Sequence, residues 1–349
     1  MLTLHVMLKV AVVILNWNTR ELLERFVPGL LASAEATEGP VGIVVADNGS
    51  TDGSVEMLRE RFPSVRVIAL DRNYGFTGGY NRALAELDAE YFVLINSDIE
   101  VPEGWLGPLL RWMETHPECG ACGPKLHSLT ERERFEYAGA AGGLVDRFGY
   151  PFCRGRVFNR VETDRGQYDA PQDVLWVTGA CLMVRSSVWK AFGGLDDRFF
   201  AHMEEIDFCW RIQLGGWKVT VVPESLVYHL GGATLPNRSP RKLQLNYRNN
   251  LLMLDNNLAD TVGPARARWR IFLRQVWDGL SAIVYLCSGK MQYFSAVWKA
   301  HREFRQLRKA RPARPAPVAK ARVAGLYPGL IIPEALLKGK KVFDKVRTI

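Results

Sequence analysis

The sequence predicts an α/β protein built on a doubly wound, mostly parallel sheet flanked by helices, with a basic helical extension at its C-terminal end. Three observations predict it. Short β-branched runs alternate with helix-length amphipathic segments through the first hundred residues. Every polar cluster in that half falls directly after a strand run, where sheets of this kind place their ligands. The charge is also divided: residues 1–235 carry a net −9 and residues 236–349 a net +17, within an overall +8.

The elements follow in order. Val10–Leu15 is a continuous apolar run ending at the polar Asn16, Trp17 and Asn18. Lys9 lies inside the apolar stretch, so the opening reads as a buried first strand and not as a signal peptide. Thr19–Ser33 has helical spacing through Leu22, Phe26 and Leu30. Gly42–Ala46 is a second strand, Thr51–Arg61 a helix closed by Pro63, Val65–Leu70 a third strand and Gly78–Leu87 a helix. Tyr91–Ile95 is a fourth strand, ending at Asn96-Ser97-Asp98. Residues 119–173, rich in Gly, Arg and aromatics, read as loops with short strands. Trp176–Arg185 resumes a strand pattern, Glu205–Leu214 is a helix, and Trp217–Val222 is a strand stopped by Pro223. Chain length accommodates one large domain over residues 1–235 and a basic, amphipathic helical region over 236–349, with a Pro/Arg/Ala linker at Pro312–Pro317. No window offers the ~20 apolar residues of a spanning helix. Cys119 and Cys122 form a lone CxxC without a second pair, and read as buried thiols in a reducing compartment.

Several clusters carry chemistry. Asp47 follows the second strand, and Asn48 to Gly53 make a tight turn and a helix cap. A carboxylate held at a strand end can accept the N3–H of uracil or thymine. The run Asn73 to Asn81 contains Gly75, Gly78 and Gly79 before and within a helix start, which allows close backbone approach to an anionic ligand. It is neither GxGxxG nor GxxxxGK[ST], which disfavours a nicotinamide cofactor and an ATP-hydrolysing loop. Asp98 can hold Mg²⁺ or Mn²⁺ against a diphosphate, with His229 adding a nitrogen ligand. Glu204, Glu205 and Asp207 crowd one helix start. Acids there favour the helix dipole, but one of them is also free to act as a base.

Seven segments occur in a familiar order over roughly residues 9–234: VAVVILNWN, VVADNGSTDGS, NYGFTGGYN, FVLINSD, VTGACLMVRSSVWKAFGGLDDRFF, MEEIDFCWR and VYHLGG. Together they resemble the inverting glycosyltransferases of family two, which have the GT-A fold, and within them the rhamnosyltransferase-like branch. The resemblance implies a nucleotide-sugar donor, a bound Mg²⁺ or Mn²⁺, and inversion by direct attack of an acceptor hydroxyl. It implies that Asn16, Trp17, Asn18 and Asp47 contact base and ribose, and that Asn73 and Gly79 line the nucleotide pocket. Asp98 is then the retained acid of the family's Asp-x-Asp turn, with Asn96 at its first position and Ser97 between them. His229 matches the C-terminal metal or diphosphate contact. Glu204 and Glu205 stand where the family has Glu-Asp, which makes Glu205 the expected base, with Asp207 and Glu204 as rivals. Arg211, one turn beyond Asp207, could pair with these acids or with a phosphate of the nucleotide, and the pairing is the favoured reading.

The basic region adds a partner. Trp269, Phe272, Leu273, Val276, Leu280 and Val284 form one helical stripe, with Arg270, Arg274 and Asp278 away from it. A second stripe runs through Tyr293, Phe294, Val297 and Trp298. These helices suit an anionic membrane surface, or else pack as a hairpin on the catalytic domain with their basic face in water. No nucleic-acid-binding motif accompanies the charge, so nucleic acid is not an expected partner. The expected activity is transfer of a sugar, rhamnose being the one the branch suggests, from a UDP- or dTDP-sugar to a hydroxyl of a growing, lipid-linked cell-surface glycan. The expected location is the cytosol or the cytoplasmic face of the inner membrane. A sugar-nucleotide nucleotidyltransferase would carry a basic Gly-rich loop where this chain has Asn16-Trp17-Asn18-Thr19. A non-catalytic nucleotide-sugar-binding module is the other rival, kept open by Glu205 standing where the family has Asp.

Overall fold

The computed structural model describes residues 7–231, 239–319 and 321–348. Strands β1 (Leu8–Asn16), β2 (Val41–Asp47), β3 (Arg66–Ala69) and β4 (Ala89–Asn96) alternate with helices α1 (Arg20–Ala36), α2 (Ser54–Arg61) and α3 (Gly75–Ala85). The strands pair in parallel, β1 with both β2 and β4, and β2 with β3. Both faces of this sheet are covered at its centre, so β1, β2 and β4 are buried and apolar through their middles while the edge strand β3 keeps exposed residues. Val10, Val12 and Ile14 of β1 pack toward α1 and α2, while Ala11 and Val13 pack toward α3.

Beyond β4 the sheet becomes mixed. It continues through β5 (Ile99–Glu100), α4 (Leu106–Thr115) and β6 (Cys119–Ser128). A second, smaller sheet holds β7 (Gly143–Val145), β8 (Pro151–Cys153), β9 (Arg156–Val157) and β10 (Arg160–Val161). The main sheet resumes with β11 (Gln172–Asp173) and β12 (Cys181–Arg185), then helices α5 (Ser186–Ala191) and α6 (Glu204–Leu214), then β13 (Lys218–His229). Its order is β11-β13-β6-β12-β4-β1-β2-β3, with β5 on β13. β12 runs antiparallel between β4 and β6.

Two sequence expectations are corrected here. Residues 119–128 form a full central strand, buried on both faces despite two glycines and a proline, because β12 and β13 pair with it on either side. Pro223 does not end its strand. β13 continues to His229, absorbing Pro223, Glu224 and Ser225 in a shift of register between Val222 and Leu226. That shift restores pairing, and the following register sets His229 opposite Ile99 of β5, one residue after Asp98.

The C-terminal region is helical: α7 (Pro240–Val262), α8 (Pro264–Cys287), α9 (Met291–Leu307), α10 (Ile331–Lys338) and α11 (Val342–Val346). α7 starts with Ser239 capping the Lys242 amide and Pro240 in the first turn. Leu251, Leu252, Met253, Leu254 and Leu258 of α7 share one core with Phe208 and Trp210 of α6. α10 and α11 cover the small sheet through Ile331, Val342 and Phe343. The charge boundary at 235/236 falls within residues 232–238, outside the described residues.

Candidate active site

The carboxyl ends of β1, β2 and β4 meet in a web of side chains. Asn16, fully buried, donates from Nδ2 to Asp47 Oδ1 at 2.7 Å and to Ser50 Oγ at 3.1 Å. Its Oδ1 accepts from Thr19 Oγ1 at 2.6 Å, and Thr19 is also bonded to Ser97 Oγ at 2.9 Å. Asp47 Oδ2 accepts from the Ser50 amide at 2.9 Å. Asn16 therefore locks three strand ends together and orients Asp47. Asn18, in the left-handed region at φ 53°, donates its amide to Ser50 Oγ and accepts from the Thr51 amide. Between them Trp17 stands exposed, its indole unclaimed by the core.

The glycine-rich run behaves differently from its expectation. Asn73 Oδ1 takes the Gly75 amide and Asn48 Nδ2, so its acceptor closes the turn into α3. Gly79 is buried, and a Cβ there would sit 2.6 Å from Leu15 Cδ1. Its use is close packing of α3 on β1, so it does not line a pocket. Gly75, at φ +73°, is the position where a Cβ would collide with Phe200.

Asp98 is buried beside Ser97 and the partly exposed Asn96. Its Oδ1 lies 3.1 Å from His229 Nε2, and its Oδ2 accepts from the Gly231 amide at 3.2 Å. On the other side of the imidazole, Glu136 Oε1 lies 3.3 Å from Nδ1, while Glu136 Oε2 accepts the Ala138 amide. Burial alone would lower the His229 pKa, but the bonds to Asp98 and Glu136 outweigh it and push it up to about 10. His229 is thereby held protonated with its two ring nitrogens facing carboxylates, so Asp98 is the ready oxygen ligand for a divalent cation and Nε2 could join it only by giving up its proton. Among the described residues no three His, Cys, Asp or Glu side chains enclose an ion, so remaining ligands would come from a diphosphate or water. The residues fit Mg²⁺ or Mn²⁺ on those terms. Cys119 and Cys122 are free, buried thiols in β6.

The acidic cluster separates into three environments. Asp207 is fully buried: Oδ2 pairs with Arg211 Nε at 2.7 Å, and Oδ1 accepts from Asn256 and Asn257 of α7, each at 2.8 Å. It joins α6 to α7 and is not presented to a ligand. Arg211 donates its other nitrogens to the carbonyls of Phe192 and Gly194, which makes it a structural pairing and not a phosphate contact. Burial, then the charge of Glu205, push the Glu204 carboxyl well above its ordinary range. Glu205 differs. Burial raises its pKa to about 7, opposed by the backbone amides of Glu205, Ile206 and Gly179. Its Oε2 is buried without a protein partner. Gly179 lies between Glu205 and the ring of Phe76, and the neighbouring Ala180 carbonyl accepts the Asn96 amide. Glu205 thus packs against Gly179, one residue from the Ala180 carbonyl that holds the last residue of β4.

Sequence reasoning missed the residues that hold this geometry. Phe200, His202 and Met203 all have positive φ, between 65° and 73°, directly before α6. Asn249 Nδ2 holds the carbonyls of Phe199, Ala201 and His202, and Arg248 Nη2 adds a bond to Phe199. Such φ values cost energy for residues with side chains and persist only when neighbours fix them. A signal was present: Asn249-Asn250 and Asn256-Asn257 are poor helix formers seven residues apart, on one face of a long helix. Glu136 left none, lying in the irregular segment.

The family model described as Glycosyl transferase family 2 matches residues 11–192. An N-acetylglucosaminyl-diphospho-decaprenol L-rhamnosyltransferase of Mycobacterium tuberculosis is 31% identical over 233 residues, covering 62% of this chain and 75% of the relative. The O-antigen biosynthesis protein RfbC of Myxococcus xanthus is 27% identical over 224 residues, covering 63% of this chain and 17% of that protein. Among solved structures, a mannosyltransferase from Pyrobaculum calidifontis in complex with GDP-Man and Mn²⁺ superposes with a TM-score of 0.53 at 12% identity, over 85% of this chain and 87% of the other. TarS of S. aureus in complex with UDP-GlcNAc gives 0.52 at 17% identity, over 86% and 83%. At these identities the structures speak for the fold.

Proposed function

The chain belongs to glycosyl transferase family 2, and from that premise we propose that it moves a sugar, with inversion, from a UDP- or dTDP-sugar to a hydroxyl of a lipid-linked surface glycan. The observation that carries the mechanism is Glu205: a carboxyl at the start of α6, with a pKa of about 7 and a buried oxygen free of protein partners. A base of that pKa is half ionised near neutral pH and can take a proton without being unreactive. The acceptor oxygen attacks the anomeric carbon, the bond from that carbon to the diphosphate oxygen breaks, and its electron pair leaves with the nucleoside diphosphate. The acceptor proton passes to Glu205 Oε2. Trp17 offers an exposed face to the base, and Asp47, held by Asn16 and Ser50, keeps lone pairs for a pyrimidine N3–H. Asp98, joined by His229 once its Nε2 proton is displaced, would hold Mg²⁺ or Mn²⁺, which would supply positive charge to a departing diphosphate.

Rhamnose and a lipid-linked acceptor are supported by the mycobacterial relative, which is named for transfer of L-rhamnose to N-acetylglucosaminyl-diphospho-decaprenol. We read residues 1–235 as the catalytic unit and 236–349 as the basic helical region, attached to the cytoplasmic face of an anionic membrane where such an acceptor resides. Among the described residues no helix is long and apolar enough to cross a membrane. The test is a donor panel of UDP-, dTDP- and GDP-sugars with Mg²⁺ or Mn²⁺ and a lipid-diphosphate-linked sugar acceptor. Consumption of a pyrimidine donor with an inverted product is expected. Turnover with GDP-sugars alone, or a product of retained configuration, contradicts the reading.

A further inference from the structure

α8 is oriented the opposite way from an ordinary amphipathic helix. Its polar face is inside: Arg274 and Asp278 are buried and bonded to each other at 2.7 Å. Arg274 also donates to the Phe148 carbonyl at 2.9 Å and to Asn250 of α7, while His301 of α9 lies 3.3 Å from Asp278. Its apolar face is outside. Trp269, Phe272, Val276, Trp277, Leu280, Ile283 and Val284 are all exposed, Phe272 at 52% and Ile283 at 54%. The stripe continues through Leu286, Met291 and, on α9, Trp298. Rotating α8 to cover it would strip partners from a buried ion pair, so the outward face is fixed by the inward one. The hairpin does pack on the body of the protein, but with the side that the sequence reading had assigned to water.

We propose that this outer face of α8, extended onto the start of α9, inserts into the interfacial layer of an anionic bilayer; this deepens, and rests on, the reading of a membrane-borne acceptor above. The charge around the stripe selects the occupant. Arg266, Arg268, Lys290, Lys299 and Arg302 are exposed around it, and the only acid between residues 264 and 302 is the buried Asp278. Two copies of the chain pairing through this face would bring basic rims together with no acids to meet them. Anionic headgroups meet them, the apolar side chains enter the acyl boundary, and the Trp rings sit at the headgroup level.

Flotation of the full chain with phosphatidylglycerol-containing vesicles tests this, against vesicles of phosphatidylcholine alone. The combined variant Phe272→Ser, Leu280→Ser, Ile283→Ser changes only exposed positions and is expected to melt like the wild type. It should lose vesicle binding by about tenfold or more, given ~0.8 kcal/mol per buried CH₂, while transfer to a water-soluble acceptor is unchanged. Arg266→Gln with Arg268→Gln should weaken binding to the anionic vesicles and leave the weaker phosphatidylcholine binding as it was. Undiminished flotation of the triple variant overturns the proposal. So does a wild-type dimer in sedimentation equilibrium that the triple variant dissociates, with no vesicle binding. Sugar transfer without vesicle binding refutes the docking face alone, whereas vesicle binding without any transfer supports the face and refutes the transferase reading.

Discussion

Asn257 of α7 donates to Asp207 of α6 at 2.8 Å, inside the core, and this bond divides the acids at the head of α6 by role. With Asn256 and Arg211 it satisfies Asp207 completely, leaving Glu204 and Glu205 each with an oxygen that has no partner, and of these two residues Glu205 is the one that is partly exposed. Asp207→Asn replaces an acceptor with a donor facing two other donors and orphans Arg211. Removing one partner of a buried pair costs roughly 3–5 kcal/mol. A large loss of melting temperature is expected, measured by circular dichroism. A fully stable but inactive Asp207→Asn protein would reassign Asp207 as the base.

Glu205 also sets a pH dependence. Its pKa is about 7 in the fold against an ordinary 4.5, so between those values the folded protein holds a proton that the unfolded chain has released. Stability from this group is therefore present at low pH and is lost as pH rises through that interval. Glu205→Gln escapes the loss. It should be more stable to unfolding than the wild type on the alkaline side of neutrality, by an amount on the order of a few kcal/mol, and alike in acid. Equal melting at all pH values would mean that the carboxyl is not buried as described.

Asp47 is the selector of base. Calorimetry should show UDP or dTDP binding well and GDP or ADP poorly. Asp47→Ala should reduce that preference, since a buried donor left unmet costs about 1–3 kcal/mol. Equal affinity of the wild type for purine and pyrimidine diphosphates would remove Asp47 from this role.

The metal prediction extends to a residue that no motif contained. Asp98→Ala and chelation by EDTA should each abolish turnover. Glu136→Gln, which meets His229 on the side away from Asp98, should weaken metal-dependent diphosphate binding by roughly 10–100-fold, as loss of outer partners does elsewhere. Unchanged binding in Glu136→Gln would limit Glu136 to a structural role.

The legible part of this chain was the part governed by local rules. β1 to β4 and the helices between them lie within a few residues of their expected bounds, because each strand is a β-branched run and each helix carries its own spacing. β6 was illegible, since Cys119–Ser128 has turn-like composition and is a strand only by virtue of its neighbours. In the site, the pairing of Arg211 with an acid of its own helix was legible from their spacing, but Asp207 looked available when tertiary packing of α7 had enclosed it. Gly79 was misread for a related reason: a glycine that admits a ligand and one that admits Leu15 are identical in sequence. The orientation of α8 is the clearest case, because an amphipathic pattern defines two faces without saying which one the fold covers.

The most direct test of the account is the turnover of Glu205→Gln on the best pyrimidine donor, with donor affinity measured alongside. Gln keeps the shape and hydrogen bonding of the side chain but cannot take the acceptor proton. A fall in kcat of about 10²–10⁴-fold is expected, with little change in donor Kd, and partial activity in Glu205→Asp. Near-full turnover of a folded Glu205→Gln protein would contradict it.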